Sequence, residues 1–514
     1  MSTVNVGTPT PRAPAKRGAL RRFDMILFSV TAILCLSQVP ITASLGQSVI
    51  FWTIVVICLF FIPYGLITAE LGSTYPDAGG IYSWVARAFG PFWGTQVSWW
   101  YWVNVGIWLP SVYLMFSTLM GQLFGWKIGY WPCVVIAIAL IWINFGINVV
   151  KLDTSKWVAN TAAIITVTVM LVLAVSGFVF AGLHGSANLW NRHTVMPTWA
   201  TIGFLGVVVY NFLGFELMSS ASEEMRDAKR DVPRSILTSG LLIGVFYVIS
   251  VVGILLLRPL SSITATTGLY AALKTGLGSA GVGHAFAFLL GLGALYCFFA
   301  LLIPWTIGAN RAAAEAARRG DLPRVFGHVN QRFKTPVGAA ALTSVVGTTF
   351  TLAWGIIVST TGQNSSVETL FWNLFAFSSV VFMFTYLVMS AAFLRLRHKD
   401  PNTPRPYRVP GGTVGAVVVT MLCIAFVAAG ILFFIWSDPT GPANWSFIEQ
   451  MAIGLAVVAA MGIVFDHFAT HRPETPAGGH PEAGAKVALE GLVPDSPDEI
   501  LERELQPASR DADG

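Results

Sequence analysis

Long apolar runs, each bounded by short stretches that hold Arg, Lys, Asp, Glu, Gly or Pro, repeat along almost the whole chain. Read between charges, they fall at about 24–46, 48–72, 92–123, 128–150, 157–182, 198–221, 235–257, 282–310, 337–360, 369–394, 413–437 and 446–466. A helix needs roughly 20 apolar residues to cross the hydrocarbon core of a bilayer. Each run is of that length, and no residue from Ala88 to Trp126 is charged. The pattern predicts an all-α polytopic membrane protein with twelve transmembrane helices, here spans one to twelve. No small-residue cleavage site leads from the first run into a polar domain, so it reads as a span and not as a signal peptide.

Composition agrees with the pattern. Of the 514 residues 54% are hydrophobic and 11% charged, against about 25% charged in ordinary soluble domains. With a mean hydropathy of +0.66, a soluble enzyme, a disordered chain and a nucleic-acid binder are all poor fits. The five cysteines (Cys35, Cys58, Cys133, Cys297 and Cys423) are odd in number and lack CxxC spacing, which reads as packing and as neither a disulfide framework nor a metal site. The eight histidines do not pair at metal-ligand spacing. No cofactor is expected: Gly276-Leu277-Gly278-Ser279-Ala280-Gly281 matches GxGxxG, but no strand precedes it.

Basic residues set the orientation. With twelve spans and a cytoplasmic N-terminus, the external loops hold only Lys127, Arg192, Arg258 and Lys274, while 23 of the 31 Lys and Arg lie in the N-terminal arm and internal loops. That asymmetry predicts both termini in the cytoplasm. Residues 1–22 form a polar cytoplasmic arm, 23–470 the transporter-like helical domain, and 471–514 an acidic tail rich in Pro, Gly and Ala that is expected to be disordered. Within the tail Ser496-Pro497-Asp498-Glu499 reads as a capping box for a short helix.

Candidate chemistry lies inside the spans. Irregular backbone is tolerated at bilayer depth only where it is buried or lines a cavity. Span one carries Cys35-Leu36-Ser37-Gln38-Val39-Pro40-Ile41-Thr42, with Pro40 and a polar cluster in mid-span. Span six carries Tyr210-Asn211-Phe212-Leu213-Gly214-Phe215-Glu216. These are corresponding positions if the chain is two five-helix repeats plus two extra helices, and paired broken helices point to a transporter site. A proline kink and a packing glycine are the structural alternative. An intramembrane carboxylate costs about 2.5–3.5 kcal/mol on insertion scales, so Glu216 is expected to face a cavity or a partner, either protonated and hydrogen-bonded between helices or, the favoured reading, gating or carrying a proton. Glu223 and Glu224 read as ion-paired near the surface, and Glu70 as a partner for internal basic residues. In span three Asn104 and Trp108 share a helical face with Tyr101; these and Trp305 of span eight are candidate site residues or members of an aromatic packing stripe.

Several motifs resemble those of the amino acid–polyamine–organocation transporters. They are Glu70-Leu71 with Tyr75-Pro76-Asp77-Ala78-Gly79-Gly80-Ile81-Tyr82-Ser83-Trp84 and Phe89-Gly90-Pro91; Gly214-Phe215-Glu216 with Glu223-Glu224 and Arg230-Asp231-Val232-Pro233-Arg234; Trp305 to Gly308 with Arg311, Leu322-Pro323 and Thr335-Pro336-Val337; and Arg405-Pro406-Tyr407-Arg408-Val409-Pro410-Gly411-Gly412. The resemblance covers roughly residues 20–470. It implies a five-plus-five inverted repeat of the leucine-transporter type (about 23–182 and 198–397) plus two extra helices at about 413–467. It also implies roles: broken helix one takes a substrate carboxylate, an aromatic before the GxE segment gates (here Tyr210), and Trp305, Asn104 and Trp108 complete the pocket. Many members carry Gly-Ser-Gly in helix one; this chain has Cys35-Leu36-Ser37 and is most similar to the glutamate/γ-aminobutyrate antiporter branch. Some proton-coupled members hold a lysine in helix five, where this chain has Thr166 and no Lys or Arg between Lys156 and Arg192.

The sequence therefore predicts a secondary transporter of the cytoplasmic membrane, without covalent chemistry, that exchanges an amino acid or its decarboxylation product, of glutamate/γ-aminobutyrate type, by alternating access. Its candidate substrate residues are Cys35, Leu36, Ser37, Gln38, Thr42, Asn104, Trp108, Tyr210, Asn211, Gly214 and Trp305, with Tyr210 and Glu216 as gating or proton-linked groups. Its partners are the bilayer, the small-molecule substrate and a coupling proton or sodium ion; no nucleic acid is expected. An ion-coupled amino-acid or polyamine uptake permease and, at lower rank, a non-transporting amino-acid sensor are the alternatives.

Overall fold

The computed structural model describes residues 33–75, 80–150, 155–214, 216, 228–330, 332–333, 335–360, 366–436 and 444–469; Glu223, Glu224, both chain ends and the capping-box segment lie outside these. All described regular structure is helical: α1 (Gln38–Ala43), α2 (Val49–Thr74, with a π turn at Ile57–Phe61), α3 (Ile81–Phe89), α4 (Pro91–Phe124), α5 (Tyr130–Val149), α6 (Ser155–His184) and α7 (Leu205–Tyr210) come first. α8 (Ala228–Leu257), α9 (Gly268–Leu277), α10 (Gly281–Arg319), α11 (Val337–Thr360), α12 (Val367–Lys399), α13 (Gly412–Ile435) and α14 (Trp445–Phe468) follow. Ten of the described helices are long and apolar enough to cross a membrane. They match ten of the twelve expected spans. The two without a continuous helix in the described residues are spans one and six, where the sequence places its interruptions.

The helices differ in how much protein surrounds them. The apolar window of α4 is 83% buried and that of α12 78%, against 17% for α14. So α4 and α12 form the centre: α4 packs on α10, α11, α12 and α5, while α8 packs on α6 and α2. The crossing of α6 with α8 depends on two glycines. A methyl on Gly253 would stand 2.5 Å from the Leu173 carbonyl oxygen, and one on Gly177 2.6 Å from the Gly253 Cα. Small residues permit such backbone approach where lipid supplies no hydrophobic drive between helices.

Both ends of the bundle are tied. At the end bearing the basic clusters, buried Glu70 of α2 accepts from Arg397 Nε (2.9 Å) and Nη2 at the end of α12, and from the Val409 amide (2.7 Å); Arg405 stands 3.7 Å away. The expected pairing of Glu70 with basic residues is thus present, and the Arg405–Gly412 motif lies across it. Nearby, α3 is held by Lys399 Nζ on the Arg87 carbonyl, by Arg395 on that of Ala88, and by Tyr82 donating to Asp321. Burial and the Asp321 carboxylate push the Tyr82 hydroxyl above the usual phenol range, so it remains a donor. At the opposite end Glu368 of α12 accepts from the Ala265 and Thr266 amides, Thr266 Oγ1 and Trp372 Nε1, and Thr118 of α4 donates to the Thr266 carbonyl. The segment before α9 is thereby laid over α4 and α12.

Candidate functional site

The backbone is irregular where spans one and six were expected to break. In span one Leu34–Ser37 is non-helical and α1 starts at Gln38. The break lies one turn before Pro40, not at it. Pro40 sits in the first turn of α1, where an amide has no intrahelical partner and proline costs little. Buried backbone groups freed by such a break need partners. Tyr247 of α8 supplies them: its hydroxyl donates to the Ile33 carbonyl (2.8 Å) and accepts from the Cys35 amide (3.0 Å).

Span six ends its described helix at Tyr210, and Gly214 follows at φ +122°. That is a left-handed conformation in which a Cβ is strained. A Cβ there would also stand 3.3 Å from Ile33 and 3.7 Å from the Trp305 ring. The Gly214 amide donates to the Tyr64 hydroxyl of α2 at 3.3 Å. Each break is therefore served by a tyrosine from outside its own span.

Glu216, 3% exposed, is ringed by hydroxyls. Tyr64 donates to Oε2 at 2.5 Å, Tyr386 of α12 to Oε1 at 2.7 Å and Tyr101 of α4 to Oε1 at 3.4 Å. No basic side chain contributes to these bonds. The predicted intramembrane partner is three phenols, from three helices, and only Tyr101 was legible as a candidate.

Seven of the eleven expected substrate residues fall into three groups. Trp108 and Trp305 meet edge to face at 5.7 Å, Trp305 meets Phe382 at 6.0 Å, and Tyr210 meets Phe382 at 6.1 Å and Phe375 at 5.1 Å. Phe382 of α12 touches both Trp305 and Tyr210 and was not singled out in the sequence, where it is one of 35 phenylalanines. Thr42 and Asn211 meet across the two breaks: Asn211 Nδ2 donates to Thr42 Oγ1 (2.8 Å), which donates to the Gln38 carbonyl (2.7 Å). That pair lines a small cleft shared with Thr53, Tyr247 and Val251. Cys35 and Leu36 line a different small cleft, with Thr166, Cys297 and Phe298.

Five of the candidates carry buried polar atoms without a hydrogen-bond partner among the described residues: Ser37 Oγ, Gln38 Oε1, Asn104 Oδ1, Trp108 Nε1 and Asn211 Oδ1. Leaving one such atom unpaired costs about 1–3 kcal/mol. These five lie at the two breaks and on α4, and ten other such atoms lie elsewhere among the described residues. Among the described residues no group of His, Cys, Asp and Glu is placed to hold a metal ion.

Comparison with known proteins decides the family. Residues 20–458 match the model of a family described as amino acid permease. The chain belongs to that family. Its members are membrane transporters and not enzymes, and the motif resemblance to the amino acid–polyamine–organocation group is borne out. One relative, named a probable agmatine/putrescine antiporter of Lactococcus lactis, is 30% identical over 442 residues, covering 85% of this chain and 91% of that protein. An uncharacterized transporter of Legionella pneumophila is 28% identical, covering 85% and 93%. Among solved structures, a manganese transporter of Eremococcus coleocola has a TM-score of 0.54 at 14% identity, covering 87% of this chain and 93% of its own. At that identity the likeness concerns fold alone. The permease is thus a multi-pass membrane transporter.

Proposed function

We propose that this permease is an exchanger of the cytoplasmic membrane that moves an amino acid or an amine by alternating access, with both termini in the cytoplasm. In this reading the fold has twelve spans, with a five-plus-five inverted repeat and two extra helices, and an acidic tail beyond residue 470. Substrate binds at mid-depth between spans one, three, six and eight. The observation that carries the proposal is the set of unpaired buried polar atoms at the two breaks and beside the Trp108–Trp305 contact. Ser37, Gln38, Asn104, Trp108 and Asn211 contact the polar groups of the substrate; Cys35, Leu36, Thr42 and Gly214 shape the backbone around it; Trp305 and Tyr210 cover its apolar part, Tyr210 as the moving gate. Glu216 and its three tyrosines tie span six to spans two, three and ten, and release of those bonds opens the path.

Two substrate pairs fit an exchanger without a basic residue at its site: glutamate with γ-aminobutyrate, from the motif resemblance, and a guanidino amine with a diamine. The second is favoured by the Lactococcus lactis relative and by the acceptor character of Gln38 Oε1, Asn104 Oδ1 and Asn211 Oδ1. Asn211 is oriented by its bond to Thr42, so its free atom is an acceptor that suits an N–H donor. The test is uptake of labelled agmatine, putrescine, glutamate and γ-aminobutyrate into proteoliposomes, with and without unlabelled substrate inside. Uptake only into preloaded vesicles is expected. Accumulation in empty vesicles under a proton or sodium gradient makes it an ion-coupled permease, and binding without uptake makes it a sensor.

A further inference from the structure

Seven buried side chains outside the candidate site form one connected polar cluster where α4, α5, α10 and α11 meet. Asn144 donates to the Tyr113 hydroxyl at 3.0 Å. Asn148 donates to Asn144 Oδ1 at 2.7 Å and to Thr306 Oγ1 at 3.0 Å, and the Thr306 hydroxyl lies 3.0 Å from Asn144 Oδ1. Asn310 donates to Asn148 Oδ1 at 3.4 Å and accepts from Trp102 Nε1 at 3.1 Å and Thr343 Oγ1 at 2.7 Å. The cluster contains no carboxylate, imidazole, amine or guanidinium group and so carries no charge.

Its placement supplies a reason for it. Thr306 directly follows Trp305, and Pro304 directly precedes it inside α10. Proline has no amide to return to the carbonyl four residues earlier, that of Ala300. The helix is therefore weakest at the residue whose indole faces Trp108, Phe382 and the Gly214 break. Past the proline, Thr306 and Asn310 attach α10 to α5 by Asn144 and Asn148, to α4 by Trp102, and to α11 by Thr343. The Thr306 hydroxyl also lies 2.8 Å from the Leu302 carbonyl oxygen, bridging back across the proline.

We infer that this amide and hydroxyl cluster is a positioning device for Trp305: it fixes the rotation of α10 after Pro304 and so sets how closely the indole meets the substrate. Thr306, Asn148 and Asn310 are positioning residues, not substrate contacts. The inference rests on the reading of Trp305 as part of the substrate site. Thr306→Val preserves side-chain shape and removes the hydroxyl; Thr306→Ser keeps it.

The test measures exchange in proteoliposomes, using whichever of agmatine, putrescine, glutamate or γ-aminobutyrate the wild type carries. Thr306→Val is expected to raise the half-saturating concentration about fivefold, with the maximal rate changed less than about twofold. Thr306→Ser is expected to restore it. In a Trp305→Phe background the valine substitution is expected to add little, because the group it positions is gone. If Thr306→Val does not yield folded protein, Thr343→Val, at the edge of the cluster, takes its place with the same expectations. A fall in melting temperature without any change in half-saturation, or a shift that persists in full with Trp305→Phe, overturns the inference while leaving the transport reading intact. Failure of the wild type to exchange any of the four overturns that reading and the inference with it.

Discussion

Three phenol hydroxyls converge on the Glu216 carboxylate, drawn from α2, α4 and α12; the two short bonds, from Tyr64 and Tyr386, would each contribute about 1.5–3 kcal/mol to an ionised acceptor, and the 3.4 Å contact of Tyr101 less. An ionised carboxylate accepts from all three. A protonated one must donate with one oxygen and loses part of that capacity, so acidification weakens the tie between span six and its neighbours. Glu216→Gln removes the ionisation with little change of shape. Exchange by this variant is expected to lose its dependence on pH between mildly acidic and neutral conditions, with Tyr64, Tyr101 and Tyr386 still facing the amide; an unchanged pH profile in vesicle uptake would reduce Glu216 to a packing role. Glu216 itself was legible because a carboxylate is expensive at bilayer depth. Its partners Tyr64 and Tyr386 were not, since they lie 152 and 170 residues away and a tyrosine in an apolar span looks like any other aromatic.

At the scale of helices, Pro40, Gly214 and the polar residues around them announced that spans one and six are interrupted, but not where the first gives way. The backbone opens one turn ahead of Pro40 because Tyr247 of α8 can satisfy the Ile33 and Cys35 backbone groups there. The α6–α8 crossing has the same dependence on distant partners. Gly177 and Gly253 look unremarkable along the chain, yet a side chain on Gly253 would strike the Leu173 backbone. Gly253→Val is expected to force these helices apart, costing about 1–3 kcal/mol. A thermal unfolding scan of the detergent-purified protein should show a clearly lowered midpoint; an unchanged midpoint would mean that the crossing adjusts freely.

For the whole molecule, the distribution of Lys and Arg predicts which ends of the helices face the cytoplasm. Lys274 at the end of α9 and Arg324 after α10 are both exposed and lie on opposite sides in that arrangement. Four native cysteines are buried, and the fifth, Cys58, lies within the apolar α2 helix, so background reaction with a water-soluble reagent is expected to be low. In intact cells a membrane-impermeant maleimide should label Lys274→Cys, and should label Arg324→Cys only after permeabilisation. The reverse result would invert the orientation and, with it, the sides assigned to the Glu70–Arg397 tie and the Glu368 cover.

The sequence alone determined the helical class, the membrane as solvent, the two interrupted spans and the family, because these follow from local composition, periodicity and short motifs that survive without knowledge of neighbours. It also marked Glu70 and Glu216 as groups in need of partners. Only the tertiary structure decided who the partners are: Arg397 and Arg405 for the first, three tyrosines for the second, Tyr247 for the backbone of span one, and Thr42 for Asn211. It also separated Cys35 and Leu36, which line one cleft, from Thr42 and Asn211, which line another. Hydrogen-bond satisfaction in a low-dielectric core is a property of assembled helices, and a linear pattern carries the demand for a partner without naming it.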